Sequence, residues 1–94
     1  MKKITVLHLD SCLYCHNTKR ATEELKAANP EYAKIDVEWI EESQQEELAR
    51  PFAKDYYYVP SIFIEGKKVY EAHPGESYEE CRAVVEKAFK TVCG

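Results

Sequence analysis

Cys12-Leu13-Tyr14-Cys15 stands where an apolar run gives way to a helical pattern, and this placement constrains the fold more than any other feature of the chain. Upstream, Ile4 to Leu9 carries apolar residues on both faces, as a central strand covered by helices on either side would. Downstream, Tyr14, Cys15, Thr18, Ala21, Leu25 and Ala28 recur at three- and four-residue steps, which predicts a helix from Leu13 to Ala28 ended by Asn29-Pro30. Residues three apart at a helix start are neighbours, at a separation that suits the roughly 4.4–6.8 Å between alpha carbons of a disulfide. Cys12 faces unpaired backbone amides and the positive end of the helix dipole, which favour its thiolate, while Cys15 lies deeper. Cys12 is therefore expected to attack and Cys15 to resolve. Lys19 and Arg20 would add favourable field, and Asp10 would oppose it.

The remaining elements extend the same sheet. Ile35, Val37 and Trp39 alternate with Asp36 and Glu38, which predicts an edge strand. Ser43-Gln44-Gln45-Glu46 has the form of a capping box, so a second helix is expected there, kinked or split by Pro51. Ser61 to Ile64 and Lys68 to Tyr70 flank Glu65-Gly66-Lys67 and read as a hairpin. Ser77-Tyr78-Glu79-Glu80 repeats the capping pattern ahead of an apolar stripe of Cys81, Val84, Val85, Ala88, Phe89 and Val92. Strands separated by helices imply a parallel pair, and the hairpin adds antiparallel strands. The expected architecture is α/β, in the order β-α-β-α-β-β-α, with a four-stranded mixed sheet. A chain of 94 residues suggests one domain, 1–94, without a linker or repeat.

Thirteen Lys and Arg against 17 Asp and Glu give a net charge of -4, with both signs scattered, so no nucleic-acid groove is expected. The apolar run after Met1-Lys2-Lys3 is short and interrupted by His8, which reads as a strand and not as an export signal. No stretch reaches the roughly 18 apolar residues of a membrane span. A cytoplasmic monomer is expected, and in that reducing setting a close cysteine pair is more often catalytic or metal-binding than structural. Cys15-His16 also completes the C-x-x-C-H pattern of haem attachment, but no methionine follows Met1 as a second axial ligand. His16 is read as solvated or as electrostatic support for the thiolate, and His8 and His73 as structural or solvated. A strand, C-x-x-C and a helix also resemble small heavy-metal-binding domains, in which soft thiolates hold copper. Those domains carry methionine where this chain has Asp10, and here a second helix precedes the hairpin. A non-catalytic metal carrier is the alternative reading of the two cysteines.

Two motifs together resemble the thioredoxin-like superfamily, and within it the short glutaredoxins and thioredoxins, over about residues 3 to 91. Cys-Leu-Tyr-Cys resembles the C-P-Y-C of glutaredoxins, and Val59-Pro60-Ser61-Ile62-Phe63-Ile64-Glu65-Gly66 resembles their V-P-x-V-F-I-x-G. The resemblance implies a thioredoxin fold and a thiol-disulfide oxidoreductase in which Cys12 and Cys15 are catalytic. It also implies a cis Pro60 beside them, with the backbone of Val59 pairing with an extended substrate. Tyr14 and Tyr58 are the aromatic candidates for substrate contact. No metal or cofactor is implied. The expected partners are a protein disulfide and a reductant, either a thioredoxin-reductase-like enzyme or glutathione as co-substrate. The chain departs from the glutaredoxin pattern where Gly-Gly and an acidic residue hold glutathione: here Val69 leads into Tyr70-Glu71-Ala72-His73-Pro74-Gly75. Asp10-Ser11 also replaces the usual lysine, and Leu13 replaces the proline between the cysteines. The residues between the cysteines tune reduction potential, so the redox poise is this chain's own. Cys81 is expected to be a packed thiol and Cys93 an exposed one.

Overall fold

All five residues of strand β1 (Ile4–His8) are buried, because the strand lies inside the sheet with packing on both of its faces. The computed structural model describes residues 2–93; Met1 and Gly94, the ends of the expected domain, lie outside the described residues. The sheet runs β2-β1-β3-β4. Strand β2 (Val37–Glu41) is parallel to β1, with Ile4 opposite Val37 and His8 opposite Glu41. On the other side of β1 lies β3 (Ser61–Ile64), antiparallel, followed by the antiparallel β4 (Lys67–Glu71). The expected central and edge strands are thus found in those places.

Alternation along β1 and β3 divides the core in two. Ile4, Val6, Ile62 and Ile64 face helices α1 (Leu13–Ala28) and α4 (Tyr78–Cys93), where they meet Ala21, Leu25, Val85 and Phe89. Leu7, Ile40 and Phe63 face the opposite way, under Ala49, Phe52, Tyr56 and Val59. Each large apolar side chain taken fully out of water contributes about 1.5–3 kcal/mol, so the doubly covered β1 and β3 form the rigid centre. Both strands point their ends at the segments that carry the cysteines and Pro60.

Four local expectations are amended. Asn29-Pro30 ends α1 but also begins a one-turn helix, α2 (Pro30–Ala33), because Asn29 Oδ1 accepts the Glu31 amide at 2.9 Å and Pro30 suits a first turn. Strand pairing begins at Val37, two residues after Ile35, whose amide instead closes a turn on Tyr32 O at 3.0 Å. Ser43 caps no helix. Its amide and hydroxyl both donate to Glu41 Oε1, at 2.7 and 2.6 Å, which holds Ser43 in the turn after β2, and the helix starts only at Glu46. The helix that follows, α3 (Glu46–Ala49), is one turn long, and Pro51 lies in a separate 3-10 turn, Arg50–Phe52. The hairpin turn is the two residues Glu65 and Gly66, with φ of 50° and 81°, and Lys67 already belongs to β4. The final cap is as expected: Ser77 Oγ accepts the Glu80 amide at 3.1 Å. Helix α4 continues through Cys93, which is exposed, while Cys81 is buried beside Thr18 with 3.2 Å between Sγ and Oγ1.

Candidate active site

Cys12 is the N-cap of α1. Its extended backbone, φ -86° and ψ 121°, turns the chain from the loop into the helix, and its Sγ accepts the Cys15 amide at 3.2 Å. A sulfur is an uncommon cap, and here it occupies the place where the unpaired amides of the first turn create positive potential. From the other side, the Cys12 thiol lies 3.6 Å from the carbonyl oxygen of Val59, which can accept its proton. The Val59-Pro60 peptide bond is cis. The two motifs, 47 residues apart in the chain, are therefore in contact.

Cys15 is only 3% exposed, and its Sγ accepts the Leu9 amide at 3.5 Å. Burial first, and then the neighbouring Cys12 sulfur, push its thiol well above the ordinary cysteine value, so it stays protonated at neutral pH. The partly exposed and buried sulfurs thus differ in both access and environment. Among the described residues, no group of three or more His, Cys, Asp or Glu side chains converges as a metal site.

The loop before Cys12 is held by contacts that the spacing does not reveal. Glu41, at the end of β2, accepts the Asp10 amide at 2.9 Å through Oε2, while Oε1 accepts the Ser43 amide and hydroxyl and the Gln44 amide. These donors, led by the Ser43 hydroxyl, hold its carboxyl down to about 2. His16 adds a clasp: its Nε2 is 2.6 Å from the Asp10 carbonyl oxygen, which can only accept, so that nitrogen carries the proton. Lys19 lies over Trp39 and Arg20 over Tyr78, where Arg20 also pairs with Glu24 at 3.2 Å, so both cations have partners away from Cys12. His8 packs edge-on against Trp39, and burial lowers its pKa.

The segment before Pro60 has a matching anchor. Glu71, at the end of β4, accepts the Tyr57 and Tyr58 amides, each at 2.7 Å, and meets the Lys68 ammonium at 2.6 Å. That arrangement, with Lys68 foremost, draws its carboxyl down to about 2. Ser61 Oγ donates to the Tyr58 carbonyl at 2.6 Å. The three tyrosines diverge: Tyr56 is packed on Phe63 and donates to Glu42, Tyr57 is 83% exposed, and Tyr58 lines a cavity with Tyr14, Val59, Ala72, His73 and Pro74. Tyr14 is fixed there by its hydroxyl, which accepts the Gly75 amide at 2.9 Å. The structure therefore brings Cys12, Cys15, Tyr14, Tyr58, Val59 and Pro60 to one end of the sheet. Glu41, Glu71 and the Ala72–Pro74 wall are additions that no sequence pattern marked.

A family model described as Glutaredoxin matches residues 4–69. No curated protein sequence matches the chain. Among solved structures, a malarial protein is 16% identical with a TM-score of 0.61, covering 93% of this chain and 96% of that one. The protein Trxlp from Edwardsiella tarda is 15% identical with a TM-score of 0.60, over 89% and 81% of the two chains. A mutant thioredoxin from Halobacterium salinarum is 19% identical with a TM-score of 0.53, over 92% and 73%. At such identities the likeness establishes the thioredoxin fold.

Proposed function

The chain belongs to the glutaredoxin family, and from that premise we propose that it is a dithiol thiol-disulfide oxidoreductase working through Cys12 and Cys15. The observation that carries this reading is the position of Cys12 Sγ, at the helix start, between the Cys15 amide and the Val59 carbonyl. A thiolate there is stabilised by the amide and by the helix dipole.

Cys12, as thiolate, attacks one sulfur of a substrate disulfide. A Cys12–substrate bond forms, the substrate S–S bond breaks, and the leaving sulfur departs as a thiolate that takes a proton from water. Cys15 then gives up its proton and attacks Cys12 Sγ, forming the 12–15 disulfide and releasing the second substrate sulfur. Two electrons pass from the pair to the substrate. An external thiol reductant, a thioredoxin-reductase-like enzyme or glutathione, restores the dithiol by the same exchange in reverse.

The environment of Cys15 supports this order. A buried, protonated thiol does not compete for the first attack, and part of what holds its proton is the charge on Cys12. Once Cys12 is bound in a mixed disulfide that charge is gone, and Cys15 ionises more readily at the moment it is needed. A Cys15→Ala variant should therefore accumulate a one-to-one substrate adduct on Cys12, visible by intact mass. Turnover that persists with no trapped adduct would refute the assignment.

A further inference from the structure

Glu76, two residues before α4, buries its carboxylate, with the side chain only 2% exposed. A buried charge is costly unless neighbouring groups compensate it, and here two do. Oε1 accepts the Tyr70 hydroxyl, which burial first, and then the carboxylate itself, keep protonated. Oε2 lies 3.7 Å from His73 Nε2, and that nitrogen is also 3.8 Å from Glu80 Oε2 in the first turn of α4. Among the described residues no lysine or arginine pairs with Glu76.

The His73 ring is surrounded by acceptors. Nδ1 lies 3.3 Å from the Pro74 carbonyl oxygen, and Nε2 faces the two carboxylates. A neutral ring has one bare nitrogen and must turn it on an acceptor, whereas an imidazolium meets all of them with a proton. The other titratable groups on this side are Tyr14 of α1 and Tyr58, which share a cavity wall with His73, and Cys81 of α4, whose thiol burial pushes up. None of them supplies a second cation. The His73 side chain is 59% exposed and exchanges its proton with solvent, so its bridge is the part of this cluster that pH can remove.

The same segment reaches the cysteines. The Glu76 amide donates to the His73 carbonyl at 3.3 Å, closing a turn, and inside that turn the Gly75 amide donates to the Tyr14 hydroxyl at 2.9 Å. Gly75 adopts a φ of 84°, which a glycine takes without strain. Tyr14 lies between Cys12 and Cys15, so a turn fixed at Glu76 braces the cysteine turn from outside.

We propose that the bridge from His73 to Glu76 and Glu80 positions the Cys12–Cys15 turn, through Gly75 and Tyr14, and that exchange at Cys12 is faster with His73 protonated than with it neutral, at equal Cys12 thiolate. The proposal rests on the exchange reading above and adds regulation of the same site by pH.

The test follows oxidation of the reduced full chain by excess hydroxyethyl disulfide, which is small and uncharged, from about pH 5.5 to 8.5, across the range in which an imidazole titrates. Dividing the second-order rate by that of His73→Leu cancels the change in thiolate. The ratio should be about 3 at the acid end, well inside the roughly 100-fold that a 1 Å displacement of a reacting group costs, and should fall to about 1 at the alkaline end. His73→Lys keeps its charge throughout, so its ratio to Leu should stay near 3 even at about pH 8.5. In Tyr14→Phe, which lacks the hydroxyl that Gly75 holds, removing His73 should change the rate by less than about 1.5-fold at any pH. Circular dichroism checks the fold of each variant. A parent-to-Leu ratio flat with pH, a Lys variant no faster than Leu at the alkaline end, or an undiminished His73 effect in Tyr14→Phe would each overturn the positioning role while leaving exchange at Cys12 standing. No oxidation of the parent at any pH would overturn the exchange reading, and the positioning role with it.

Discussion

The two segments that meet at Cys12 are each anchored by one glutamate at the end of an edge strand, Glu41 on β2 and Glu71 on β4, yet the two anchors differ in kind. Glu41 is buried and accepts only uncharged donors, three of them through Oε1 and the Asp10 amide through Oε2. Glu71 is partly open, with Oε2 on two amides and Oε1 on the solvent-exposed ammonium of Lys68. Both of Glu41's oxygens are committed to fixed donors, whereas one of Glu71's faces a side chain that can swing into water. The loop before Cys12 is thus held by fixed hydrogen bonds, and the segment before Pro60 in part by a contact that salt and solvent can loosen.

The largest expected effect removes both anchors together. Each carboxyl is held at about 2, below its ordinary 4.5, so between those values the folded chain binds fewer protons than the unfolded one. Stability from these groups is complete above about pH 4.5 and is lost as pH falls toward 2. His8 acts in the same direction earlier, since burial depresses its pKa below 6.5 and unfolding lets it protonate. Urea midpoints followed by Trp39 fluorescence should fall steadily on acidification; a flat profile from pH 5 to 2 would break the anchor picture.

Next comes Glu41→Gln. If the amide oxygen keeps the Ser43 donors, its NH2 group points at the Asp10 N–H, donor against donor, so the Tm should drop on the order of 5–10 °C. The exchange rate at Cys12 should fall by about 10-fold, because the loop that positions the sulfur loosens. A Tm within 1–2 °C of the parent would contradict the ranking.

Smallest is Glu71→Gln, whose oxygen can stay on the tyrosine amides while its NH2 turns toward a Lys68 free to move away. A Tm loss of only about 2–4 °C is expected, with Lys68→Ala smaller still, and both differences should shrink as salt is raised to 1 M. A cost equal to that of Glu41→Gln, or one indifferent to salt, would show that the two anchors are alike.

Much of this molecule was readable from local pattern. The helical repeat from Leu13, the hairpin that turns at Gly66 and the Ser77 cap are each decided by neighbours in the chain, which is why they form, with only the strand boundary at Lys67 moved. Ser43 shows the limit: its capping motif is intact, but the Glu41 carboxylate two residues back ties Ser43 into the turn after β2 and the helix starts later, at Glu46, so the motif does not form. The conformation of Tyr56 to Pro60 and the wall after β4 likewise depend on contacts outside their own stretch.

The order of residues by itself determined the cysteine pair at a strand-to-helix junction and the sheet that would carry it, because periodicity and turn chemistry act over a few positions. Only the tertiary structure decided which glutamates hold the segments that meet at Cys12 and which residue of the tyrosine run lines the cavity beside Val59. Asp10 and Glu41 are 31 positions apart, and Cys12 and Val59 are 47. Such partners are chosen by strand register and by burial of the core, which no short stretch of sequence contains.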